Sequence, residues 1–135
     1  MTKLTRWGRI TGFQATFTRE PTLRGLLAGA LEVQSLASIY RTRHGAAASF
    51  VETRRACLKP PFKQLSVGRR LGHEAAYCVA TRKSGNTKVT VYVLAWRRNN
   101  VTAGVLLAGL AGVVDSTEAV RLARKQDARI AATLK

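Results

Sequence analysis

Acidic residues are scarce in this sequence. Seven Asp and Glu stand against 23 Lys and Arg in 135 residues, a formal charge of +16. So few carboxylates leave few pairs for general acid and base work. Histidine and cysteine number two each. Two thiols, Cys57 and Cys78, do not make a zinc site, and their spacing is not a metal pattern. No stretch reaches the roughly 20 apolar residues of a membrane span. The longest candidate, Val101 to Val114, is broken by Thr102 and three glycines. The start, Met1 to Trp7, is basic, but no apolar run of signal length follows it. That leaves a cytosolic chain, or a mature or shortened one. Dinucleotide, phosphate-loop and nucleophile-elbow motifs are all missing. So are repeats and low-complexity segments. No catalytic residue, metal or cofactor is indicated, and the sequence reads away from an enzyme.

What remains is ordinary globular material with an unusual charge. Apolar residues make up 46% and charged residues 22%. Length predicts one domain over residues 1–135, with enough chain to bury a core. Sixteen of the 23 basic residues are Arg. A guanidinium fork favours phosphate and carboxylate, and the excess charge favours polyanions: nucleic acid, acidic lipid or acidic polysaccharide. A GC-rich genome also enriches Arg, but does not remove acids.

Hydrophobic periodicity predicts an α+β fold. Phe13, Ala15 and Phe17 alternate with polar residues, giving a strand over 9–19. Residues 22–30 read as a loop or short helical turn and 31–42 as a strand, with one helix over 22–42 as the alternative. A helix follows over 45–58, with Ala46, Ala47, Phe50, Val51, Cys57 and Leu58 on its apolar face, stopped by Pro60-Pro61. Residues 62–73 read as a loop or edge strand. Strands at 74–82, 87–97 and 101–109 form an antiparallel meander. The middle one is apolar on both faces, as a central strand covered on both sides requires. Gly104, Gly109 and Gly112 read as strand ends or bends. The last helix, 116–134, opens with Asp115 and Glu118 in a capping pattern and buries Ala119, Ala123, Ile130 and Leu134. The order is β-β-α-β-β-β-α, an antiparallel sheet of about five strands with two main helices.

The candidate residues are mostly cationic. Arg97-Arg98 at a hairpin tip, Arg69-Arg70 in a loop, and Arg121, Arg124 and Lys125 on the last helix are the candidate anion- or phosphate-binding residues. Tyr40, Tyr77, Tyr92 and Trp96 are candidate base-stacking groups, with Tyr92 and Trp96 better placed in the core. His73-Glu74, with His44, is the one constellation open to acid–base or metal chemistry, but neighbours on an extended chain point apart. Cys57 and Cys78 are either buried thiols or a disulfide. A disulfide requires Cα atoms within about 7 Å and an oxidising compartment.

Several segments carry a family resemblance. Gly12-Phe13-Gln14-Ala15-Thr16-Phe17 lies in the first strand, and Ile39-Tyr40-Arg41-Thr42 ends the second. His44-Gly45-Ala46-Ala47 opens a helix, and Arg70-Leu71-Gly72-His73-Glu74-Ala75 precedes the meander. The last helix contains Ala123-Arg124-Lys125. This pattern resembles the extracytoplasmic ligand-binding or sensor domains of actinobacterial lipoproteins and kinase ectodomains, with a PsbP-like fold. His73 stands where that family often has Asp. The resemblance implies an extracytoplasmic, non-catalytic module and no catalytic residues. The leading expectation is therefore a binding or sensor-like module for an anionic or amphipathic ligand or a partner protein. Its apolar pocket would lie between the sheet and the 45–58 helix, with Arg at the mouth. The rival is a nucleic-acid-binding protein that neutralises phosphates without reading sequence. Oligomeric state is not legible in the sequence.

Overall fold

A computed structural model of the chain describes residues 7–18 and 29–134. Alternating side chains build β1 (Arg9–Thr18), β2 (Glu32–Tyr40), β4 (Glu74–Ser84), β5 (Thr87–Arg98) and β6 (Val101–Leu110), with a two-residue β3 (Lys63–Gln64). They form one sheet in the order β1-β2-β6-β5-β4-β3, every pair antiparallel. Helix α1 (Arg43–Leu58) carries the chain from β2 across the sheet to the far edge, and α2 (Ser116–Thr133) closes the described chain. Both helices start on a side-chain cap. Thr42 Oγ1 accepts from the Gly45 amide, and the Asp115 carboxylate accepts from the Thr117 amide, each at 2.9 Å. Such caps satisfy amides that the first turn leaves unpaired. The β5–β6 turn is Asn99-Asn100, and Asn99 takes the left-handed conformation (φ 52°) that tight hairpins need.

The helices lie on opposite faces, which explains why β5 is apolar on both. Even-numbered Leu94 and Trp96 pack with Val105, Leu107, Ala119 and Ala123 beneath α2. Odd-numbered Val93 and Ala95 pack with Phe50, Ala76, Cys57 and Cys78 beneath α1. A two-residue side-chain period makes this division automatic.

The α+β class and the meander stand as expected, but the described residues form six strands, because residues 63–64 pair with β4. So short a strand has no periodicity to read. The alternative helix over 22–42 is overturned at 32–40, where β2 runs between β1 and β6. The turn expected at 22–30 falls mostly outside the described residues. Gly104 is mid-strand rather than at a bend. The apolar face of α1 is narrower than expected: Val51 and Leu58 are exposed, while Gly45, Ala46, Ser49, Phe50 and Cys57 are buried. Leu134 is exposed as well. The position that α2 buries in its place is Asp127.

Candidate functional site

Beneath α1 the sheet is covered unevenly. Phe50 and Cys57 pack over β4 and β5. The part of the same face nearer β1 is left as a groove of about 530 Å³. Leu36, Val93, Ala95 and Leu106 give it an apolar floor, and Tyr40 and Phe50 wall it. The Tyr40 hydroxyl donates to Ser49 Oγ at 2.7 Å, so this buried pair is satisfied internally. Gly104 contributes depth. A Cβ there would meet the Leu94 carbonyl at 3.6 Å and Leu36 Cδ1 at 4.0 Å, which is ordinary contact. The backbone therefore does not demand glycine, and any larger side chain would enter the groove.

One cation is set into the rim. Arg9 lines the groove, and its Nε donates to Ser38 Oγ at 3.1 Å. A Cβ on Gly12 would collide with the Arg9 guanidinium and lie 2.8 Å from the Ala37 carbonyl. Gly12 thus makes room for Arg9 to lie down along the strand. Among the described residues no carboxylate pairs with Arg9. Sequence reasoning missed Arg9. The signal was there in Arg9 and Gly12 three residues apart, but only the pairing of β1 with β2 brings Ser38 to them.

The hairpin arginines are placed differently from the expectation. Arg97 and Arg98 point to opposite faces, and each meets a carboxylate. Glu74 receives Arg97 on one oxygen and Arg54 on the other, the latter at 2.9 Å. Asp127 receives a two-pronged contact from Arg98 at 2.8 and 2.7 Å and the Trp96 indole N–H at 3.1 Å. The Arg98 hydrogen bond, aided by its charge and the Trp96 bond, holds the Asp127 carboxyl below its ordinary range against the opposing effect of burial. Both guanidinium groups already donate to carboxylates, so Arg97 and Arg98 are tied into the fold rather than standing free at the hairpin tip.

The remaining candidates gather where the 65–72 loop meets α2. Arg124 donates to the carbonyls of Arg69 (3.0 Å) and Arg70 (3.4 Å), fastening the loop to the helix. Arg121 and Lys125 are exposed on α2, one turn apart. None of these five cations forms an ion pair among the described residues.

The other candidates do not assemble into chemistry. His73 Nδ1 accepts from the Asn99 amide at 3.0 Å, while the Glu74 carboxylate is held by two arginines. Burial lowers the His73 pKa, and Arg97, Arg98, Arg70 and Arg43 push it the same way. His44 lies exposed in the first turn of α1. Among the described residues no three His, Cys, Asp or Glu side chains gather to hold a metal. Tyr40, Tyr77 and Trp96 are buried, which removes them as stacking surfaces, and Tyr92 is half-buried. Tyr77 donates to the Ser116 carbonyl, and burial, then Tyr92 and Asp115, push its pKa up to about 12.

Cys57, in the last turn of α1, and Cys78, on β4, are joined in a disulfide with Cα atoms 5.7 Å apart. The bond lies in the layer beneath α1, with Phe50 and Ala95. No helix among the described residues is long and apolar enough to cross a membrane. No protein-family model, curated protein or solved structure matches this chain.

Proposed function

We propose that this chain is a non-catalytic, sensor-like binding module that takes an anionic amphipathic small molecule in the groove beneath α1. The observation that carries this reading is Arg9. Its guanidinium is seated by Ser38 and Gly12 at the rim of an apolar trough, with no carboxylate against it among the described residues. An apolar tail would lie on Leu36, Leu106 and Val93, and an acidic head would accept from Arg9. This follows the usual plan of small-molecule sites, mostly apolar with a few placed polar groups. The disulfide supports an extracytoplasmic setting, since such bonds persist in oxidising compartments. The likeness to lipoprotein and kinase sensor domains with a PsbP-like fold belongs to the same proposal.

Calorimetry with dodecanoate and dodecanol tests it. A charge-assisted hydrogen bond is worth about 1.5–3 kcal/mol, so the acid should bind at least about tenfold more tightly than the alcohol. Arg9→Met should erase that difference, and Gly104→Leu should abolish binding of both. Failure of both probes to bind, or binding unchanged in Gly104→Leu, overturns the reading.

A second reading, sequence-independent binding of nucleic acid, is favoured by Arg69, Arg70, Arg121, Arg124 and Lys125, which sit along one seam with no acid paired to any of them among the described residues.

A further inference from the structure

The two edges of the sheet are protected to very different degrees. At one edge β3 is two residues long, carries Lys63, and is preceded by Lys59-Pro60-Pro61. Short length, lysine and proline are the usual defences of an open edge. At the other edge lies β1, ten residues long and, among the described residues, paired on one side only. A bulge interrupts its register near Arg9 to Thr11, but from Thr11 to Thr18 the pairing with β2 is continuous. Residues Ile10 to Thr18 carry no charge, in a chain where 22% of residues are charged. They contain no proline. Residues 14–18 are exposed on both faces, and Ile10 and Phe17 each keep 60% of their surface.

We propose that β1 is the interface strand of a homodimer, in which it pairs antiparallel with β1 of a second copy to make one continuous sheet. Charge selects the occupant. Two copies at +16 repel wherever their basic surfaces meet, so they can approach along a strip to which neither brings charge. Residues Ile10 to Thr18 of β1, beyond Arg9, supply that strip, and a second copy supplies one of the same length and neutrality. A two-fold axis normal to the sheet makes the contact self-complementary. It also pairs residues of like parity, so the same face of each sheet stays on the same side. Gly12 and Gln14, which line the groove, would then lie near their counterparts, with both grooves opening side by side. One strand pair buries less than the roughly 1,200 Å² of a standard stable interface. The association is therefore concentration-dependent, and salt strengthens it by screening the repulsion.

Sedimentation velocity on the full chain tests this, from about 5 to 500 μM protein at about 50 and 500 mM salt. The dimer fraction should rise with protein concentration and rise again with salt. Thr16→Lys places a cation on the strip of each copy and should leave a monomer throughout, with a melting temperature matching the parent to show that the fold is intact. Should Thr16→Lys melt lower, Phe17→Lys serves as the second variant. A parent that stays monomeric at every concentration, or a dimer that persists in a folded Lys variant, overturns the proposal. Neither outcome depends on whether dodecanoate binds.

Discussion

Asp127 shows how much one residue can decide. It stands one turn beyond Ala119 and Ala123 on the buried stripe of α2, where apolar periodicity calls for an alanine or leucine. It is tolerated because Trp96 and Arg98 satisfy it. Removing one partner of a mostly buried pair costs roughly 3–5 kcal/mol, less where solvent reaches the pair. With the Arg98 side chain 29% exposed, Asp127→Asn should lower stability by about 2–3 kcal/mol in urea denaturation at pH 7. A carboxyl held low in the fold binds fewer protons there than in the unfolded chain. Its stabilisation is complete above the unfolded value, near 3.9, and is lost as pH falls through the lower folded value. The parent should therefore lose stability from about pH 5 downward, and Asp127→Asn should show a shallower acid limb. A variant with an unchanged acid limb would remove Asp127 from the account. The sequence concealed this residue because its partners lie 29 and 31 positions away.

Legibility changes with the length of the element. β5 and β6 are readable because each is an apolar run of ten or more residues bounded by turn residues. β3 is readable only as one of two alternatives, a loop or an edge strand over 62–73, since two residues carry no period. α1 was placed correctly, but its buried side was drawn too wide. The sheet beneath it is ridged by small residues, Ala76 and Ala95, so the helix seats through Ala46, Phe50 and Cys57 and turns Val51 outward. The groove was legible only as an idea, because Leu36 and Leu106 meet through the pairing of β2 with β6, about 70 residues apart in sequence. At this scale the disulfide matters most. It closes a loop between positions 21 apart and pins the end of α1 to β4. Chain-entropy arguments assign a loop of that size roughly 3 kcal/mol. Cys57→Ala with Cys78→Ala should lower the denaturation midpoint accordingly, and added reductant should shift the parent but not the double variant. An equal shift in both would show that the bond does not form.

For the molecule as a whole, the fold sorts the charge that composition only counts. Glu74 and Asp127 are spent on Arg54, Arg97 and Arg98, and Glu52 leans toward Arg55 at 3.8 Å. The arginines at the β5–β6 hairpin are thereby neutralised. Uncompensated charge is left on the loop–α2 seam. If that seam carries nucleic acid, five neutralised phosphates predict a roughly five-hundredfold loss of affinity between about 50 and 200 mM salt. Fluorescence anisotropy with labelled RNA and DNA checks this, and Arg121→Gln with Lys125→Gln should flatten the slope. Absence of binding at the lower salt removes the reading. Salt is expected to act in the opposite direction on self-association along β1, so the two behaviours separate in one titration series.

The position of β6 bears on how the chain comes together as it is made. β1 and β2 are complete by residue 40, yet their neighbour in the sheet begins at Val101. Until then the first two strands form an isolated ribbon, and such ribbons are at best marginally stable in water. The cysteines, by contrast, are both present once residue 78 has emerged, before β5 exists. A growing chain in an oxidising compartment can therefore lock α1 to β4 early. It must then wait for β6 to pair with β2 on one side and β5 on the other, making the sixth strand of this sheet the seam that joins its two halves.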